Sequence, residues 1–247
     1  MSDDSTFDAA WAAVADVDGW MTEGQGRTLY EAAEACPSGG RVVEIGSFQG
    51  RSTIVLAMAA PSDVEIVAID PHAGSDRGPQ EIDGYEDAAS DDHATFLANL
   101  TAAGVSDRVT HVGEFSDAAH SSVDGEIDVL YVDGAHRYAP ARADIRDWGA
   151  RVRPGGTMLI HDSFSSIGVT AAIMRELVLS KRFRYVTRSR SLAVYRADSG
   201  EGRAKSALRQ LAQLPWFVKN VGLKVLLAAG LGKLMTKLGR PRPEWPY

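Results

Sequence analysis

A chain of 247 residues with 45% hydrophobic side chains has room for one α/β domain with additions and is too apolar to be disordered. Its single cysteine, Cys36, excludes an internal disulfide and a cysteine-cluster zinc site, and fits a reducing compartment. The net charge of −7 hides a division: residues 1–180 carry 30 acidic against 11 basic side chains, residues 181–247 carry 3 against 15, so the parts sit near −19 and +12. Nothing in so acidic a body would neutralise phosphates, which argues against a nucleic-acid substrate; the basic tail is a separate question.

Residues 1–39 form an N-terminal helical segment. An Ala-rich stretch predicts a helix over 5–18, and Thr22-Glu23-Gly24-Gln25 has the form of a capping box that opens a second helix. The first eight residues are acidic and polar with no apolar core of a signal peptide, so the expected compartment is the cytoplasm. Residues 41–45 are a β-branched run that reads as a buried strand. It breaks at Gly46, and residues 52–59 then have helical composition. Such a turn presents free backbone N–H groups to a polar, partly anionic cofactor, or is an ordinary strand-to-helix turn with glycines for backbone reasons. Phe48 stands where the second glycine of a dinucleotide-binding G-x-G-x-x-G belongs, so the pattern is Glu44-x-Gly46-x-x-x-Gly50.

Residues 65–69 predict a second buried strand that closes on Asp70-Pro71-His72. Residues 73–92 are polar and acidic, too long for an ordinary connection, and are expected to form a lid near an acceptor site or a disordered insertion, with His72 and His93 as lid or surface residues. A helix over 93–103 is closed by Gly104. Strands follow over 108–112, ended by Gly113-Glu114, and over 127–132, ended by Asp133-Gly134-Ala135-His136. After a helix over 140–150 and a turn at Arg153-Pro154-Gly155-Gly156, a strand over 157–160 ends at His161-Asp162. A helix over 166–179 precedes two adjacent strands over 183–187 and 191–196.

Strands alternating with helices imply an α/β fold: a doubly wound, seven-stranded, mostly parallel sheet over residues 40–197, closed by an antiparallel hairpin. Residues 198–247 read as a basic, amphipathic helical extension. Its apolar residues recur at helical spacing among lysines and arginines, which is too interrupted by charge to span a bilayer. Three readings fit it: peripheral contact with an anionic membrane at the inner face, a homodimer arm, or a cover for the sheet.

Ligands of such sheets sit outside the carboxyl ends of the strands. Those ends here carry Glu44, Asp70, Glu114, Asp133 and Asp162, an acidic rim that is costly unless something cationic or hydroxyl-rich binds there. Asp70 lies where a carboxylate can accept both hydroxyls of a ribose.

The glycine pattern resembles motif I of the class I S-adenosylmethionine (SAM) methyltransferases. Together with Tyr131-Val132-Asp133-Gly134-Ala135-His136-Arg137-Tyr138 and Ile160-His161-Asp162, it makes residues 40–197 similar to small-molecule O-methyltransferases of the catechol, caffeoyl-CoA and actinobacterial sugar types. The resemblance implies a SAM-dependent O-methyltransferase acting on a small-molecule hydroxyl, with a sugar or glycoside favoured. It places the cofactor against Glu44, Gly46, Ser47, Gly50, Asp70, Asp133 and the Glu114-Phe115-Ser116 stretch, with Glu44 orienting the turn by hydrogen bonds. It also implies a divalent cation held by Asp133, His161 and Asp162. His161 replaces the family's second aspartate there, which suits Mn²⁺ better than Mg²⁺. A hydroxyl is a poor nucleophile near neutral pH, and His136, with Asp133 and with His161 as runner-up, is the expected base. Two other readings compete. The missing second glycine argues against an NAD-dependent oxidoreductase, and Asp133, His136 and Asp162 together argue against a non-catalytic docking module.

Overall fold

The computed structural model describes residues 4–74, 85–198 and 202–228. Five parallel strands, β1 (Arg41–Ile45), β2 (Glu65–Ile69), β3 (Val109–Val112), β4 (Ile127–Val132) and β5 (Val152–Ile160), carry the sheet. The hairpin of β6 (Phe183–Ser189) and β7 (Leu192–Ala197) joins antiparallel to β5, giving the order β3-β2-β1-β4-β5-β7-β6. The order reverses between β1 and β4, and a crevice opens there at the strand ends.

Alternate side chains of each strand feed two cores. Val42, Ile66, Val129 and Leu159 pack with helices α1 (Asp4–Ala13), α2 (Glu23–Glu34), α3 (Arg51–Ala59) and α4 (Tyr85–Ala102) through Phe7, Leu29, Ile54 and Phe96. Val43, Ile45, Leu130 and Ile160 pack with α5 (Tyr138–Ala143) and α6 (Ile167–Glu176), and with Trp148, Trp216 and Phe217. Burial on both faces is why these strands read as continuous apolar runs. Helices α7 (Arg203–Leu211) and α8 (Leu214–Ala228) follow the hairpin. No helix among the described residues is long and apolar enough to cross a membrane.

Several boundaries differ from expectation. Helix α1 stops at Ala13, where residues 14–16 turn towards Gly19. Residues 85–92, expected in a lid or insertion, are the first turns of α4. Residues 75–84, the rest of that segment, lie outside the described residues. Strand β5 starts at Val152, and Arg153-Pro154-Gly155-Gly156 is a bulge inside it: pairing jumps from Ile127↔Val152 to Val129↔Thr157. Helix α5 runs on through a π turn at Asp144–Trp148 and a 3₁₀ turn at Gly149–Arg151.

Candidate active site

The crevice between β1 and β4 opens into a cavity of about 640 Å³. Gly46 makes it. The residue has φ +88°, and a Cβ there would lie 2.4 Å from the carbonyl oxygen of Asp133, so the ends of β1 and β4 touch as only glycine allows. Gly50, at φ +89°, caps α3 but does not line the cavity; a Cβ there would lie 3.1 Å from the Phe96 ring. Asp70 draws the turn in: its Oδ2 accepts from Phe48 N and its Oδ1 from His72 N, each at 2.8 Å. Gly46, Ser47, Asp70, Phe115, Ser116 and Asp133 all stand on the cavity wall.

Glu44 does not. It points with Val42 toward α3, is fully buried, and accepts hydrogen bonds from Ser52 and Thr53 on the first turn of that helix. Burial pushes its carboxyl up to about 8 against those two hydrogen bonds, which favour the ionised form. Its position is that of a brace for the turn, away from the cavity wall. Glu114 is exposed, accepts from Ser122 Oγ at 3.2 Å and also stays off the wall.

Behind Asp133 lies a second, small pocket of about 10 Å³, lined by His136 and His161, with Asp133 on the walls of both spaces. Tyr131 donates its hydroxyl to Asp133 Oδ2 at 3.0 Å. His161 is buried, with Nδ1 3.2 Å from Asp133 Oδ1 and 3.5 Å from Asp162 Oδ2; its Nε2 lies 3.3 Å from Gln25 Nε2 of α2. Burial alone would lower its pKa, but the two carboxylates outweigh it and raise it to about 10. His161 thus faces both carboxylates through Nδ1, with Nε2 turned to the Gln25 amide. Asp162, at φ +53°, turns its carboxylate to His136 Nε2 at 2.5 Å, and these neighbours hold it well below the usual carboxylate range against the opposing effect of burial.

Asp133, His136 and Asp162 each offer a ligand atom within 4.8 Å of the others. Two carboxylates and an imidazole fit a divalent cation. Of the donors expected from sequence, Asp133 and Asp162 belong to this group and His136 is its third member, while His161 stands beside it with Nδ1 3.2 Å from Asp133 Oδ1.

Other wall residues carry no motif. Trp20, just before α2, tilts against Phe48 with ring centroids 5.2 Å apart, and Arg51, the first residue of α3, donates to Val17 O at 2.8 Å. Asp144 reaches the wall from the π turn and accepts from Ser116 Oγ at 2.5 Å. His72 is not a surface residue: it is 8% exposed, and its ring lies 5.0 Å from that of His93, stacked, and 5.0 Å from that of His111, tilted. Only Arg51 had a positional signal, following directly on the glycine turn.

Strand order, a glycine-made crevice at the switch point and a carboxylate at the end of β2 define a nucleoside-cofactor site. Residues 43–163 match a family model described as a methyltransferase domain, and the fold is the Rossmann-like methyltransferase fold. Among solved structures, the fold is similar to cofactor-bound Rv0187 from MTB (22% identity, 81% of this chain and 93% of that one, TM-score 0.56). It is also similar to the O-methyltransferase TomG from Streptomyces achromogenes in complex with SAM (20% identity, 81% and 92%, TM-score 0.51). A third is the O-methyltransferase from Bacillus cereus in complex with SAH (18% identity, 80% and 92%, TM-score 0.52).

Proposed function

We propose that this methyltransferase transfers the methyl group of SAM to a hydroxyl of a neutral, hydroxyl-rich small molecule, a sugar or glycoside. The observation that carries this reading is the acidic cavity closed at its floor by Asp133. Seven aspartates line it against two arginines, which favours the sulfonium of SAM and hydrogen-bond donors such as sugar hydroxyls, and repels anionic acceptors. Trp20 and Phe48 offer a flat apolar platform on the same wall.

In this reading Gly46 and Ser47 shape the turn against the methionine half of SAM, Asp70 takes the ribose, and Phe115 and Ser116 border the adenine. Transfer is an in-line displacement at the methyl carbon, so the acceptor oxygen must be aimed at it and must lose its proton. His136, whose Nε2 is held by the Asp162 carboxylate, is the chain's own candidate to receive that proton; His161 positions Asp133 and Asp162 by pairing with both. Alternatively, Asp133, His136 and Asp162 would hold a divalent cation that lowers the pKa of the acceptor hydroxyl, and His136 would then serve as a ligand in place of a base.

Calorimetric titration with S-adenosylhomocysteine (SAH), with and without Mg²⁺ or Mn²⁺ and with NAD as control, tests the cofactor. Transfer assays of Asp133→Ala and His136→Ala on a glycoside panel test the chemistry. Both variants should lose at least about a hundredfold in rate while binding SAH normally. Transfer at the parent rate by Asp133→Ala would remove the floor from the mechanism.

A further inference from the structure

Helix α7 meets the sheet through polar side chains. Ser206 and Gln210 are buried in it: Ser206 Oγ accepts from Tyr185 N at 2.9 Å, and Gln210 Oε1 accepts from Tyr195 Oη at 3.3 Å. Its leucines face outward, Leu208 67% exposed and Leu211 42%. A surface helix ordinarily does the reverse, apolar side in. The apolar stripe runs on: Ala204, Leu208, Leu211, Pro215 and Val218 are all exposed and recur at helical spacing. Helical hydrogen bonds continue across the junction of α7 and α8, Ala212 N to Leu208 O at 2.9 Å and Phe217 N to Gln213 O at 3.0 Å. Leu179 and Val186, both exposed, lie beside the stripe, their carbonyls accepting from Arg203 and Arg209.

The surroundings of the stripe are cationic. Lys181, Arg203, Lys205, Arg209 and Lys219 are exposed around it. Between residues 181 and 228 the sequence has only Asp198 and Glu201 as acids, and Asp198 is paired with Arg184. A second copy of this chain meeting the stripe across a two-fold axis would set these cations against themselves with no acid to receive them. A bilayer with anionic headgroups complements both features, taking the leucines at the acyl boundary and the bases at the phosphates.

We infer that the outward face of α7 and the start of α8 docks this protein peripherally on an anionic lipid surface. The test is sedimentation of the full chain with vesicles of phosphatidylcholine alone or with phosphatidylglycerol added, at two salt concentrations. Binding should be at least about tenfold tighter to the anionic vesicles and weaken with salt. The Leu208→Ser, Leu211→Ser double variant should lose about tenfold of that binding while keeping its thermal midpoint and its affinity for SAH. Absence of vesicle binding, or binding the double variant retains in full, overturns the inference. So does a dimer in sedimentation velocity that the double variant splits, since the stripe would then be a self-association seam.

Discussion

Glu44 shows how one side chain ties stability to pH. Its carboxyl is raised to about 8 in the folded chain by burial, whereas an unfolded glutamate titrates near about 4.3. Between those values the folded chain holds a proton that the unfolded chain has released. The contribution of Glu44 to stability is therefore complete below the lower value and is lost as pH rises through the upper one. Glu44→Gln removes the titration, so its thermal midpoint should decline less than the parent's between about pH 6 and pH 9; parallel declines would mean that Glu44 is already ionised in its buried site. Asp70 carries a different burden, bracing the turn through Phe48 N and His72 N while lining the cavity. Asp70→Ala should weaken SAH by about 1–3 kcal/mol in calorimetry. Cys36 is buried, and burial and the neighbouring Asp128 push its thiol up to about 12. A thiol-reactive dye at pH 8 should label it only after denaturant is added.

The elements that a strong local signal announces are the ones whose bounds the sequence reading places well. Strands β1, β2 and β4 are continuous apolar runs stopped by glycine or aspartate, and the structure puts them at Arg41–Ile45, Glu65–Ile69 and Ile127–Val132. Composition misled where one residue type serves two states. The acids of residues 85–92 resemble a loop, yet these residues are the first turns of α4. The π turn was invisible because it breaks the 3.6-residue period itself. It lets Asp144 face the cavity while Trp148, fully buried, donates Nε1 to Ser116 O at 3.0 Å. Trp148→Ala should cost about 3–5 kcal/mol in urea denaturation. At the site, the motif-bearing residues Gly46, Asp70, Asp133 and Asp162 were legible, whereas the pairing of His136 with Asp162 and of His161 with Asp133 was not. That pairing depends on which carboxylate each imidazole meets across the sheet, a contact among residues 133, 136, 161 and 162 that no spacing encodes.

Across the whole molecule, the N-terminal helices share one core with the sheet: Phe7 and Leu29 lie in the same cluster as Val42, Ile66 and Leu159. The chain should therefore melt in a single transition despite its separate N-terminal sequence segment, and SAH at a hundred times its dissociation constant should add about 2.7 kcal/mol to that transition. Two resolved transitions in calorimetry would separate the helices from the sheet. The outer edge of β6 carries a last consequence. A terminal strand with free N–H and C=O groups is a template on which another chain can polymerise. Here Tyr185 N–H is taken by the Ser206 hydroxyl and the Val186 carbonyl by Arg209, at the bulge where the pairing of β6 with β7 slips. Side chains of a helix thus stand in for the missing neighbouring strand, and fibril growth by strand addition is blocked at that edge for as long as α7 stays in place.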